Sequence, residues 1–183
     1  TSNLGVGYYT GYTNICHSLT INGGATMTLS GKDLIVAGPV NISGILFIGD
    51  DAILQNGATL NLAATGSVYT GYTDGYHGYL SLNDGSSIAQ AGGHFYTEQL
   101  LLAAGSQYVA SSGYFHLYKQ GTANNSQLIQ VNEANNSFYY FYVDTLANAY
   151  LDNCTEKLNV SYIARIKGNL SLNSYEMQSY FMN

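Results

Sequence analysis

Between Leu19 and Leu102 an apolar, polar, apolar unit returns at nearly constant spacing. Leu19-Thr-Ile21, Val40-Asn-Ile42, Leu60-Asn-Leu62, Leu80-Ser-Leu82 and Leu100-Leu-Leu102 begin 21, 20, 20 and 20 residues apart. Alternation at period two turns one face of an extended segment inward and the other to solvent, as a half-buried strand requires. A fixed interval near twenty residues marks a repeat architecture. A second apolar position follows in each interval, at Met27, Phe47, Val68, Ile88 and Tyr108 or Val109. A third follows at Leu34 and Val36, Ile53 and Leu54, Tyr76, Phe95, then Phe115 and Leu117. Three apolar segments per interval predict three walls. Asn22-Gly-Gly24, Gly49-Asp-Asp51, Asn56-Gly57, Asn83-Asp-Gly85 and Gly92-Gly93 supply the corners.

The predicted fold is all-β: a right-handed parallel β-solenoid of about 20-residue, three-walled coils, with an irregular β cap at the C-terminal side. A helical reading fails, because the apolar units are short, Gly totals 21, and no i, i+3, i+4, i+7 stripe persists. A β-sandwich is the alternative, since short strands with frequent turn signals also fit it. A sandwich, however, has no reason to repeat Leu-x-Leu at four nearly equal intervals.

Tyr9-Thr-Gly-Tyr-Thr13 returns as Tyr69-Thr-Gly-Tyr-Thr73, 60 residues on, three times the period. The N-terminal segment 1–18 is therefore expected in coil register, as an assembly segment, ahead of solenoid coils over 19–127. After Leu117 the spacing becomes irregular through Leu128-Ile-Gln-Val131, Phe138-Tyr-Tyr-Phe-Tyr-Val143, Leu158-Asn-Val160 and Ile163-Ala-Arg-Ile166. Residues 128–183 are read as the irregular cap or an assembly region.

Residues 19–64, with Leu19-Thr-Ile-Asn-Gly-Gly-Ala-Thr-Met-Thr-Leu29 and Gly57-Ala-Thr-Leu-Asn-Leu62, resemble the repeats of secreted bacterial β-solenoid surface proteins. These include filamentous-haemagglutinin-type adhesins and the adhesin-like surface proteins of Bacteroidetes. The resemblance lies in style and period, and it implies an extracellular or cell-surface location with adhesion, fibre building or surface display.

Composition narrows the partners. Charged residues make up 9% of the 183, five Lys plus Arg against eleven Asp plus Glu, and none of the five lies between Asp33 and Tyr118. A net charge of −6 without a basic cluster argues against nucleic acid or an anionic membrane. No apolar run is long enough to span a bilayer. A chain that opens on Thr1 rather than Met is expected to be a processed product. Cys16 and Cys154 stand far apart and form no metal motif. In an oxidising compartment they are candidates for a disulfide, within one subunit or between two, and free thiols are the equal alternative.

Among candidate chemistry, His77, His94 and His116 fall in successive coils, where stacked imidazoles suit zinc or copper. Their unequal offsets favour a polar ladder instead, so no metal and no cofactor is expected. Asp50-Asp51 is the one adjacent carboxylate pair, with Asp74 and Asp84 nearby. Without a cationic partner these are read as turn residues rather than a glycan-cleaving pair, and no catalytic residue is assigned. Tyrosine is the unusual component, 18 Tyr against no Trp. Tyr69, Tyr72, Tyr76 and Tyr79 crowd one coil as candidate glycan or ligand contacts, and Tyr8, Tyr9 and Tyr12 are candidate assembly residues. Stacking of aromatic rings between coils explains the same tyrosines equally well.

The expectation is a non-enzymatic extracellular structural protein, a homo-oligomer or polymer that joins end to end into a fibre or surface layer. A glycan- or host-binding adhesin module is the second expectation. A polysaccharide-degrading β-helix enzyme or phage tailspike is the third.

Overall fold

The computed structural model describes residues 6–8, 13–30, 33–72, 78–119 and 126–182, and over these the chain is a ladder of strands with no helix. A short strand, β1 (Val6–Tyr8), precedes three coils of three strands each. These are β2 (Thr13–Cys16), β3 (Leu19–Ile21) and β4 (Thr26–Leu29); β5 (Asp33–Val36), β6 (Pro39–Ile42) and β7 (Ile45–Ile48); and β8 (Ala52–Leu54), β9 (Thr59–Leu62) and β10 (Ser67–Tyr69). Later coils carry one short strand and one longer one. They are β11 (Tyr79–Leu82) with β12 (Ser87–Thr97), β13 (Gln99–Leu102) with β14 (Gln107–Leu117), and β15 (Gln127–Val131) with β16 (Asn136–Val143). β17 (Asn148–Leu151) with β18 (Leu158–Ile166), and β19 (Asn169–Ser171) with β20 (Met177–Met182), complete the series.

Parallel pairing stacks each coil on the next into a β-solenoid of about 7 turns with roughly 21-residue spacing. The first wall runs β2-β5-β8-β11-β13-β15-β17-β19, and β1 closes its N-terminal edge antiparallel to β2. The second wall starts with β3, β6 and β9, and the third with β4, β7 and β10. From β12 onward one strand bends across both: residues 87–90 pair with β9, and 94–96 with β10. The bend is a bulge at Ala91 to His94, where Gly93 has φ +65°. A two-walled sandwich is excluded by this topology.

Alternation fills the core as the sequence predicts. Leu46, Val68, Phe95, Phe115 and Phe141 point inward along the third wall, each 0% exposed. Leu19, Val40 and Leu60 are buried along the second wall, where Ile88 and Tyr108 continue the column. Of the two candidates at the next rung, Tyr108 is the inward one, while Val109 is 49% exposed. Tyr108 Oη donates to Gln90 Oε1 at 2.8 Å, and Gln90 Nε2 donates to the carbonyls of Gly93 and Tyr114 across the bulges. A buried amide thus satisfies the backbone where the strand bends.

The equal spacing of Leu-x-Leu misassigns one wall. Leu80 and Leu100 sit in the first wall, over Ala52 and Leu34, and not over Leu60. The coil between Leu60 and Ile88 is 28 residues long, because an insertion follows Thr70 before Gly78. Twenty residues from Leu60 therefore reach the next wall and not the next coil. A second insertion at the same corner separates Leu100 from Ile129 by 29 residues, and the spacing then returns to 22 at Leu151. The irregular cap expected over 128–183 is accordingly made of further coils: β15 to β20 continue the same parallel ladders. Loop closure grows slowly with length, so a corner accepts an insertion without disturbing the rungs.

Cys16 and Cys154 are both free. Cys16 begins a column that runs through Val36, Leu54, Leu82 and Leu102 to Val131, five rungs away, and Cys154 Sγ accepts the Val131 N–H at 3.3 Å. At about 4.8 Å per rung the two thiols are about 24 Å apart, far beyond disulfide reach within one chain.

Two stability predictions follow from this packing. A Cβ on Gly66 would lie 2.5 Å from the Ile42 carbonyl and 2.6 Å from Leu62 Cδ1, whereas one on Gly57, at φ +78°, meets nothing within 4 Å. In urea unfolding, Gly66→Ala is expected to lose about 2–3 kcal/mol and Gly57→Ala about 1 kcal/mol, the strain of the left-handed backbone. Tyr108→Phe is expected to lose about 1–3 kcal/mol, because the buried Gln90 oxygen is left without a donor.

Candidate functional site

Parallel, in-register pairing sets outward side chains as well as inward ones above their equivalents, so any residue type repeated at one position becomes a column. On the third wall two such columns run side by side. Phe47, Tyr69, Tyr96, His116, Tyr142 and Arg165 occupy successive rungs of one. Ile45, Ser67, His94, Tyr114, Tyr140 and Ile163 occupy the other. The signal in the sequence is three triplets with a central inward Phe: His94-Phe-Tyr96, Tyr114-Phe-His116 and Tyr140-Phe-Tyr142. They lie outside the Leu-x-Leu pattern.

The rings stack along the ladder. Tyr69 lies on Tyr96 with centroids 4.4 Å apart and planes 2° from parallel, and Tyr96 lies on His116 at 4.3 Å and 15°. His94 lies on Tyr114 at 4.8 Å and 9°, and Tyr114 on Tyr140 at 4.6 Å and 9°. Ring faces are thereby taken by neighbouring rings, and each pair adds about 0.5–1.5 kcal/mol beyond area burial. Edges, hydroxyls and ring nitrogens are what remain for solvent.

Within this surface four polar groups form a chain. Tyr96 Oη lies 3.3 Å from His94 Nδ1, His94 Nδ1 lies 3.3 Å from His116 Nε2, and His116 Nδ1 lies 3.3 Å from Asp144 Oδ1. His116 is only 9% exposed. Burial, and then the neighbouring His116, push the His94 imidazolium down, so His94 is neutral at neutral pH. Burial raises the Tyr96 phenol to about 12.

Of the candidate ligand contacts, Tyr69 stands in the first of these columns, and Tyr72 packs against Phe47 at 4.1 Å and edge-on to Tyr69 at 6.3 Å. Tyr79 is elsewhere, at the start of β11 in the first wall. Tyr76 lies outside the described residues, as do His77 and Asp74. The described members of the expected four-tyrosine patch, Tyr69, Tyr72 and Tyr79, are thus split between two walls, because the insertion separates Tyr72 from Tyr79. Of the candidate assembly residues, Tyr8 pairs with Asn14 of its own chain, and Tyr9 and Tyr12 lie outside the described residues.

A second cluster has donor chemistry. Carboxylate oxygens of Asp33, Asp50 and Asp51 lie within 4.8 Å of one another at the edge of the first wall. Asp51 Oδ1 accepts the Tyr79 N–H at 2.8 Å, the Asp50 carbonyl accepts the Gly71 N–H at 2.9 Å, and the Ile48 carbonyl accepts the Tyr72 N–H at 3.1 Å. The Asp51 carboxylate therefore holds the far end of the insertion at Tyr79, while the backbone carbonyls of Ile48 and Asp50 hold its start at Tyr72 and Gly71. Loss of hydration raises the Asp51 carboxyl to about 7, and Asp50 and Asp33 push the same way against the Tyr79 N–H.

The second wall presents a third kind of surface. Asn61 Nδ2 donates to Asn41 Oδ1 at 2.9 Å, and a shallow hollow of about 410 Å³ is lined by Asn136, Ser137, Asn159, Val160, Ser161, Gln178 and Ser179. Among the described residues no helix is long and apolar enough to cross a membrane. No protein-family model, curated protein or solved structure matches the chain.

Asp51 makes stability depend on pH. Between about pH 4 and 7 the folded chain holds a proton on Asp51 that the unfolded chain has released, so stability falls as pH rises through this window. The whole shift corresponds to about 4 kcal/mol. With the group still partly open to water and salt, Asp51→Asn is expected to stabilise by about 1–2 kcal/mol at pH 8 and by little at pH 4. Thermal unfolding at the two pH values checks this.

Proposed function

We propose that this chain is a non-enzymatic structural β-solenoid unit of an extracellular or cell-surface assembly, stacking end to end with a second copy of itself. One observation carries the reading: among the described residues, apolar side chains on the first rung of the third wall and on the last rung of the ladder are less buried than those one rung inward. Met27 and Leu29 are half-buried where Leu46 and Ile48, one rung inward, are 0% exposed. Leu170 and Met177 are half-buried where Ala149 and Leu158 beneath them are 1% and 0% exposed. All rungs run parallel except β1, so the backbone edge of β20, which ends the second and third walls, has the same form as the edge that β3 and β4 present. Such a head-to-tail contact does not close on itself, and it propagates. A low density of charge offers little repulsion against it.

β1 covers only the first wall. The supported mode is therefore stacking through the second and third walls, and not donation of the N-terminal strand to the next subunit. Negative-stain microscopy and sedimentation of the wild type should show rods that lengthen with concentration. Met27→Lys with Met177→Lys should leave monomers. Deleting residues 1–8 should lengthen the rods, because it uncovers the first wall, whereas strand donation requires that they disappear. A wild type that stays monomeric at high concentration removes the proposal.

A glycan-binding reading rests on a separate observation, the uncharged amide and hydroxyl hollow on the second wall, whose groups match sugar hydroxyls. The tyrosines support it less, since their faces are already stacked. A glycan array repeated with Asn159→Ala and Gln178→Ala distinguishes it: binding that the two substitutions leave unchanged does not use this hollow.

A further inference from the structure

Two imidazoles from different coils meet on the third wall. His94 pairs with Tyr114, and Tyr96 with His116, so the two histidines are diagonal neighbours although 22 residues separate them. Their facing nitrogens, His94 Nδ1 and His116 Nε2, are 3.3 Å apart. That distance is at the long end for a hydrogen bond. It is the separation of two nitrogens on one tetrahedral metal: with metal–nitrogen bonds of about 2.0–2.1 Å, the donors stand about 3.3–3.4 Å apart.

The surrounding groups have the matching roles. Asp144 Oδ1 faces His116 Nδ1 at 3.3 Å, a partner that favours the proton on Nδ1 and so an unprotonated Nε2 on the side of His94. A carboxylate behind the far nitrogen is the usual device for orienting a metal-bound histidine. Tyr96 Oη, 3.3 Å from His94 Nδ1, supplies an oxygen at the same spacing. All three donors lie on strands, and their rings are held by stacking on Tyr69, Tyr114 and one another, so the geometry is set before an ion arrives.

We propose that His94 Nδ1 and His116 Nε2, with Tyr96 Oη as a third donor, form a binding site for one borderline divalent cation of the zinc and copper class. Two imidazoles and a phenol suit these ions, whereas calcium and magnesium require oxygen donors alone. A bound ion would join the rung of β12 to that of β14 from outside, a cross-link added to the backbone ladder.

The test uses the full chain and cobalt(II), whose visible spectrum reports tetrahedral coordination. Expected are saturable 1:1 binding with an intense visible band, its loss on adding zinc, its survival in excess magnesium or calcium, and a higher melting temperature with zinc. His94→Phe and His116→Phe keep a ring in each column, so they preserve the stack while removing a donor. Each should weaken binding at least about tenfold, and Asp144→Asn by about 10–100-fold. Tyr96→Phe, the mildest change, should weaken binding and alter the cobalt spectrum, with the metal-free melting temperature confirming the fold. Absence of saturable binding in the wild type overturns the proposal. So does binding that persists unchanged in the His94→Phe, His116→Phe double variant, which would place the ion at other histidines or at Asp33, Asp50 and Asp51.

Discussion

Every inward side chain rests on its equivalent one rung away, about 4.8 Å along the ladder, and the rest of the molecule depends on that register. A slip of one residue in any coil would turn its whole apolar set outward. The register is held most firmly where Leu, Ile, Val and Phe are wholly buried, each contributing about 1.5–3 kcal/mol. The aliphatic core of the early coils gives way to Phe95, Phe115, Phe138 and Phe141 later, packed ring on ring around Tyr108. The change coincides with the fusion of the second and third walls into single bent strands.

Corners absorb what the rungs do not tolerate. Turns at Gly57, Gly85 and Gly105 hand a backbone hydrogen bond from coil to coil, Gly57 N–H to the Gly85 carbonyl and Gly85 N–H to the Gly105 carbonyl, and the Glu133 carboxylate accepts the last, from Gly105 N–H at 2.7 Å. Both insertions leave at the opposite corner, between the third wall and the first. There Thr70, Thr97 and Gly78 form a buried hydrogen-bonded group, with Thr70 Oγ1 to Thr97 Oγ1 at 2.8 Å and Thr97 Oγ1 to the Gly78 carbonyl at 3.0 Å. Polar satisfaction at this corner lets the chain leave and re-enter the ladder in register.

The same stacking that builds the core gives the three outer walls distinct chemistry: aliphatic and acidic on the first, amide and hydroxyl on the second, aromatic and imidazole on the third. Ring faces are consumed within the third wall, so its outward character is that of edges and ring nitrogens. Among the described residues, the ends of the ladder differ from its sides in that apolar Met27, Leu29, Leu170 and Met177 are only half-buried.

Alternation of apolar and polar residues determined the strands, and their near-constant recurrence determined that the strands wind into a parallel three-walled ladder. Both are local properties of the sequence. Which strand lies on which was decided only by the tertiary structure, because Leu60 to Leu80 has the same spacing as Val40 to Leu60 yet crosses to another wall. An insertion between Thr70 and Gly78 changes the phase of the period without changing the appearance of the repeat, and a second one before Gln127 makes regular coils look irregular. The same phase information decides which outward side chains meet. His94 and His116 are visible in the sequence as isolated histidines at unequal offsets. They become a pair with facing nitrogens only when a parallel register sets Tyr96 on His116 and His94 on Tyr114, a contact between coils that composition and local pattern do not encode.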